Sequence, residues 1–206
     1  MVLGSLLLQR YFISASTGDE WDSIAIHRTL HGKPYYGRLH YSVSRADGIV
    51  VLVGWPGPIG VDIVSRGLDF TALSSSDLTS VFSPTERQKL TNCVDSKDFN
   101  DLYLLTWAFK EAYMKSTGLP DWDSIASKEF RNIRIPEMAG VYYTMAASSI
   151  FIDGSSEPAY AESHNLDDSY FIAIYSSLQP IDQNDDTFRF ERKRLEDIVS
   201  KVRELL

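Results

Sequence analysis

The sequence predicts an α+β fold with a duplicated half, and three observations predict it. Apolar residues recur at helical spacing in 2–13, 99–117 and 195–205. Residues 48–54, 59–64, 141–152 and 169–176 instead alternate or run apolar over strand lengths. Along the chain the order is helix, strands, then helix and strands again.

Each element has its own signal. Residues 2–13 (VLGSLLLQRYFI) predict the first helix, with Arg10 either exposed or reaching a ligand. A Ser/Thr cluster follows at 14–17, then Trp21 and Ile24. Residues 48–54 (GIVVLVG), bounded by glycines, predict a buried strand. Trp55-Pro56-Gly57-Pro58 is a turn. Residues 59–64 (IGVDIV) predict a second strand with one aspartate embedded in it. Ser83-Pro84-Thr85-Glu86 is a helix start: Ser83 as N-cap, Pro84 in first position, Glu86 completing a capping box. Residues 99–117 form the strongest helix, ended by Gly118 and Pro120. Strands at 141–152 and 169–176 flank a Gly-Ser turn near Gly154. The polar stretch 179–187 reads as a linker. Leu195, Ile198, Val199, Val202 and Leu205 form an amphipathic stripe on a C-terminal helix.

Bulk properties exclude several classes. The chain has 206 residues, 44% hydrophobic and 23% charged, which suits one large domain or two small ones. Its net charge of −8 argues against general nucleic-acid binding, which needs a basic face. No apolar run is long enough to span a membrane, and Met1 to Leu8 lack the basic region and cleavage site of a signal peptide. With one cysteine, Cys93, no internal disulfide can form, so a reducing compartment, the cytoplasm, is expected.

Two acids stand out. Asp62 sits between Val61 and Ile63, so strand alternation sends Asp62 and Val64 one way and its neighbours the other. A carboxylate there is costly unless paired or metal-bound; the alternative is an aspartate capping a turn. Glu111 interrupts a helix that is apolar on most faces, and it shares one face with Lys115. By spacing alone that pair reads as an ordinary surface salt bridge. Taken together, two carboxylates with Lys110 and Lys115 could hold a hard divalent cation and a phosphate. His27 and His31 have zinc-compatible spacing, but Gly32 and Pro34 interrupt any helix there and no third ligand is evident. Arg28, Lys33, Arg38 and Arg45 form a basic cluster, either an anion site or a solvated loop. Neither a P-loop, a dinucleotide-binding glycine motif nor a Gly-x-Ser-x-Gly elbow is present.

Gly60-Val61-Asp62-Ile63, followed some 45 residues later by Trp107-Ala108-Phe109-Lys110-Glu111-Ala112-Tyr113-Met114-Lys115, resembles the paired signature of the Sfp-type 4′-phosphopantetheinyl transferases. Arg28 to Tyr35 resembles their Gly-Lys-Pro segment, and Phe82 to Glu86 their F-[ST]-x-x-E helix start. The resemblance covers about residues 3–178 and is nearest the eukaryotic broad-range or aminoadipate-pathway branch. It implies a fold of two pseudo-repeated halves, the first incomplete. The corresponding division is 1–58, 59–178 with the metal and catalytic residues, and 179–206 as linker and terminal helix.

The implied activity is magnesium-dependent transfer of the 4′-phosphopantetheine arm of coenzyme A to a serine of an acyl, peptidyl or aryl carrier domain. Polyketide, peptide or aminoadipate-pathway synthases would supply that domain. The alternative is a non-catalytic relative that binds coenzyme A or a carrier domain. By resemblance Asp62 and Glu111 hold the magnesium, and Glu111 also activates the carrier serine. Lys115 and Lys110 bind phosphate. Arg28, Gly32, Lys33, Pro34, Ser44 and Arg45 contact coenzyme A. Three departures are expected to matter: Arg45 stands where the family has a histidine, Val64 where many members carry a second acid, and the first half is shortened. Whether the chain is a monomer or dimer is left open by the sequence.

Overall fold

The computed structural model describes residues 2–67, 75–118, 124–136, 146–147, 149–152, 154–178 and 190–205. Among them the fold is α+β, with helix and then antiparallel strands occurring twice. Helix α1 (Val2–Thr17) outruns its predicted end because the Thr17 hydroxyl folds back onto the Ile13 carbonyl. Gly18 then terminates it at φ 78°. Arg10 is half-buried and donates to the Trp21 carbonyl at 2.6 Å.

Two hairpins follow. Strands β1 (His27–Arg28) and β2 (Pro34–Tyr35) pair antiparallel, as do β3 (His40–Ala46) and β4 (Ile49–Trp55). Asp47 and Gly48, both at positive φ, make the tight turn between β3 and β4. His27 lies on β1 and His31 in its turn, so the pair has no helix to align it. Strand β5 (Ile59–Ser65) begins the second, larger set.

Three helices come next: α2 (Ser75–Val81), α3 (Pro84–Thr91) and α4 (Ser96–Thr117). The predicted capping box at Ser83 and Glu86 is formed in both directions. Asp95 caps α4 by accepting from the Asp98 N–H at 2.7 Å, and Gly118 closes it in the left-handed conformation. Pro120 and the 179–187 stretch lie outside the described residues.

Strands β6 (Lys128–Arg131), β7 (Ala146–Ala147), β8 (Ser149–Ile152), β9 (Ser155–Glu157), β10 (Tyr160–Leu166) and β11 (Tyr170–Ser176) follow, then helix α5 (Leu195–Leu205). The first part of the predicted 141–152 strand lies outside the described residues. On α5, Ile198 is buried while Leu195 is exposed, and the side chains of Val202 and Leu205 are outside the description.

The main sheet runs β5-β11-β10-β7, with β5 and β11 antiparallel and Asp62 opposite Ala173. Each face of β5 meets a different layer. Ile59, Val61 and Ile63 join Ile172 and Ile174 against Val51 and Val53 of β4. The residues on either side of the 58/59 boundary therefore share one core. On the other face, Ala173 and Tyr175 of β11 pack with Ala108, Phe109 and Ala112 of α4. This burial of α4 fixes where its polar residues emerge.

Candidate active site at the helix–strand crossing

Gly60 decides how closely α4 approaches β5. A Cβ placed on it would lie 1.8 Å from the Ala112 carbonyl oxygen and 2.6 Å from the Ser116 N–H nitrogen. The helix backbone thus rests directly on the strand backbone, which only glycine permits. Asp62, two residues on, points to the same face. Glu111 and Lys115 each precede one of the two helix residues that touch Gly60.

The result is a compact polar cluster. Asp62 is buried, and its Oδ1 accepts from Lys115 Nζ at 2.5 Å and from Ser44 Oγ at 2.7 Å. Lys115 also donates to Ser44 Oγ at 2.9 Å. Glu111 is half-buried one turn before Lys115. Burial, and then the charge of Asp62, push its carboxyl above the usual carboxylate range, while Lys115 pulls it down. The two acids therefore feel each other.

This donor set suits magnesium, which takes one or two carboxylates and completes its shell with water and phosphate oxygens. The ligands are hard oxygens, and a cation between them would relieve the repulsion that raises Glu111. Among the described residues no third acidic, histidine or cysteine side chain joins them to make a closed site.

Lys110 requires a correction. The sequence placed it on a phosphate, but its ammonium is buried and bonded to Glu86 Oε2 at 2.9 Å and to the carbonyls of Ile125 (3.1 Å) and Lys128 (2.7 Å). All three N–H groups are used, so none remains for a ligand. Desolvation lowers its pKa, and Glu86 holds it up in part.

Lys33 is also committed to the protein. Its Nζ donates to the Ser116 carbonyl at 2.9 Å and the Ile59 carbonyl at 3.3 Å, pinning the β1–β2 hairpin to both sides of the Gly60 crossing. Burial lowers its pKa. Gly32 turns at φ 82° and Pro34 is buried beneath the hairpin. Arg28 is exposed and donates to the Gly32 carbonyl at 2.8 Å, closing its own loop. Arg45 is exposed on the side of β3 opposite Ser44, away from Asp62.

The structural roles of Gly60, Ser42 and Glu86 were not read from the sequence. Glu86 was recognised as a cap alone, yet it also accepts from the Phe130 N–H at 2.9 Å and so ties α3, α4 and β6 together. The signal for Gly60 was available: a glycine inside an apolar strand marks a close backbone approach.

This crossing of helix and strand lies within the part of the chain that comparison with known proteins covers. The sequence profile of the 4′-phosphopantetheinyl transferase superfamily matches residues 58–175, more than half of the chain. The chain belongs to that superfamily. Its relatives include L-aminoadipate-semialdehyde dehydrogenase-phosphopantetheinyl transferases. The one from Schizosaccharomyces pombe is 33% identical over 58% of this chain and 52% of its own length. That of Xenopus laevis is 27% identical over 82% of this chain and 59% of its own. The human protein is 23% identical over 82% and 58%. The chain thus spans between half and three-fifths of the length of these relatives. No helix among the described residues is long and apolar enough to cross a membrane.

Proposed function

We propose that this chain transfers the 4′-phosphopantetheine arm of coenzyme A to a serine hydroxyl of a carrier protein domain. The observation that carries the reading is the convergence of Asp62, Glu111 and Lys115, with Lys115 Nζ 2.5 Å from Asp62 and the Glu111 carboxyl raised by burial and then by the Asp62 charge. The serine oxygen forms a bond to the phosphorus bearing the pantetheine arm. The bond from that phosphorus to the bridging oxygen breaks, and adenosine 3′,5′-bisphosphate leaves. Glu111 accepts the serine proton, a role suited to a carboxylate whose proton affinity is raised. Lys115, half-open to solvent, offers its ammonium to the diphosphate oxygens.

Asp62 and Glu111 would hold magnesium, which when bound neutralises charge on the diphosphate. Arg28 and Arg45, exposed and cationic, would receive the phosphates at the nucleotide end, with Gly32 and Pro34 shaping the loop beside them. Residues 1–58 then serve as a coenzyme A-contacting half, 59–178 as the metal-binding and catalytic half, and 179–206 as a linker and helix. Carrier domains of the aminoadipate, polyketide or peptide synthases are the expected partners, and a single cysteine fits a cytoplasmic setting.

Intact-mass measurement of an apo carrier domain incubated with this chain, coenzyme A and magnesium tests the proposal. A gain of one phosphopantetheine is expected; an unchanged mass overturns it. Glu111→Gln should cut transfer by about 10²–10⁴-fold while leaving the fold intact.

A further inference from the structure

Among the described residues, strand β5 is hydrogen-bonded to a strand, β11, along one edge only. On the other edge its N–H groups donate to side chains: Val61 to Ser42 Oγ at 3.1 Å and Ile63 to Ser44 Oγ at 3.4 Å. An orphaned buried N–H is costly, so two serines, two residues apart on one face of β3, stand in for a neighbouring strand's carbonyls. Both serines are buried. In this edge-capping they are equivalent.

They differ in what else they hold. Among the described residues, the Val61 bond is the whole of the Ser42 hydroxyl's bonding. The Ser44 hydroxyl gives its single proton to Asp62 Oδ1 at 2.7 Å and accepts from Lys115 Nζ at 2.9 Å. It is the third corner of a triangle whose remaining side is the Lys115–Asp62 ion pair. Both bonds to the carboxylate fall on Oδ1, and among the described residues Oδ2 accepts none.

We propose that Ser44 is a positioning residue. It locks the Asp62 carboxylate and the Lys115 ammonium in one mutual arrangement and anchors both to the β3–β4 hairpin. With Oδ1 held by Ser44 and Lys115, Oδ2 is left without a hydrogen-bond donor among the described residues and would be free for a cation. A lysine has four side-chain torsions, and a second fixed acceptor beside Asp62 removes much of that freedom before any ligand arrives. The link to catalysis rests on the transferase reading; the geometric link to Lys115 does not.

The test compares Ser44→Ala, Ser44→Thr and Ser42→Ala in the full chain. Thermal unfolding, the rate of Lys115 acetylation by acetic anhydride in metal-free protein, and kcat and KM for coenzyme A are all measured. Both alanine variants orphan one β5 N–H and should lose thermal stability, Ser44→Ala the more because its bond to the buried Asp62 goes as well. Only Ser44→Ala should expose Lys115, raising its acetylation rate severalfold, and lower kcat about tenfold or more with a smaller change in KM. Ser44→Thr should restore both.

Equal Lys115 acetylation in the two alanine variants overturns the proposal. So does a rise in KM at unchanged kcat, which would make Ser44 a coenzyme A contact. Should the parent chain transfer nothing, the acetylation comparison still decides the positioning role, and the missing transfer counts against the functional reading alone. If Ser44→Ala does not fold, Ser44→Cys, which keeps the volume with a weaker donor, takes its place under the same criteria.

Discussion

Helix α4 carries two lysine–carboxylate pairs, and the protein puts them to opposite uses. Lys110 is 1% exposed, and its partner Glu86 also accepts from the N–H groups of Ser83 and Phe130. Every donor and acceptor in that cluster is satisfied, so the pair fastens α3, α4 and β6. Lys115 keeps 30% of its side chain exposed and bonds Asp62 and Ser44, with its third N–H unpartnered among the described residues. The same two residue types make a sealed fastening in one place and an open cationic site in the other. What separates them is rotation: successive residues on a helix are about 100° apart, so Lys110 faces β6 while Glu111 and Lys115 face β5.

The largest break in this comparison comes from Lys110→Met. It leaves the Glu86 carboxylate buried without its cation and should cost about 3–5 kcal/mol, read as a fall in Tm. Adding Glu86→Gln should recover part of that loss. An unchanged Tm with weakened coenzyme A binding would return Lys110 to the ligand and erase the distinction. Gly60→Ala comes next. The added methyl meets the Ala112 carbonyl, which cannot rotate aside, so about 1–3 kcal/mol of stability should be lost. Because α4 must retreat from β5, transfer should fall by more than stability alone explains; a variant with full activity would show that the close crossing is dispensable.

A third test sharpens the open site through pH. The folded protein holds the Glu111 proton more tightly than the unfolded chain does. That contribution to stability is fully present below the unfolded pKa, about 4.3, and is lost as pH rises through the higher folded value. Metal-free Glu111→Gln should therefore be more stable than the parent near neutral pH, with the advantage vanishing near about pH 4. Magnesium should narrow the gap at neutral pH. A gap that stays constant with pH would mean Glu111 is not under this strain. The smallest effect is expected for Lys33→Met, which removes a half-buried clamp and should cost about 1 kcal/mol, or roughly 2–4 °C in Tm.

Much of this arrangement was legible in the sequence, and the reasons are local ones. Ser83 to Glu86 specifies a capping box within four residues, and Gly118 specifies the left-handed end of α4. The alternation around Asp62 sends it to the helix-facing side of β5 because strand periodicity is two. Lys110 was grouped with Lys115 by the residue pattern and by the family resemblance alike, although helical phase turns it away from Glu111 and Lys115. Ser44 and Lys33 could not be placed from local pattern. Their partners, Asp62 and Lys115 in one case and Ile59 and Ser116 in the other, lie far off in the chain and leave no periodic trace. Strand β10 gave no periodic signal of its own because its buried positions carry Glu162, Ser163, His164 and Asn165, a polar run that hides its burial.

Since no side chain intervenes where Gly60 meets Ala112 and Ser116, the distance between strand and helix is set by main-chain atoms alone. Such a joint has no rotamers to exchange and so no slack to take up. Under the transferase reading, adaptation to a different carrier or a different anion would fall to exposed side chains such as Arg28 and Arg45, while the spacing at the centre stays fixed.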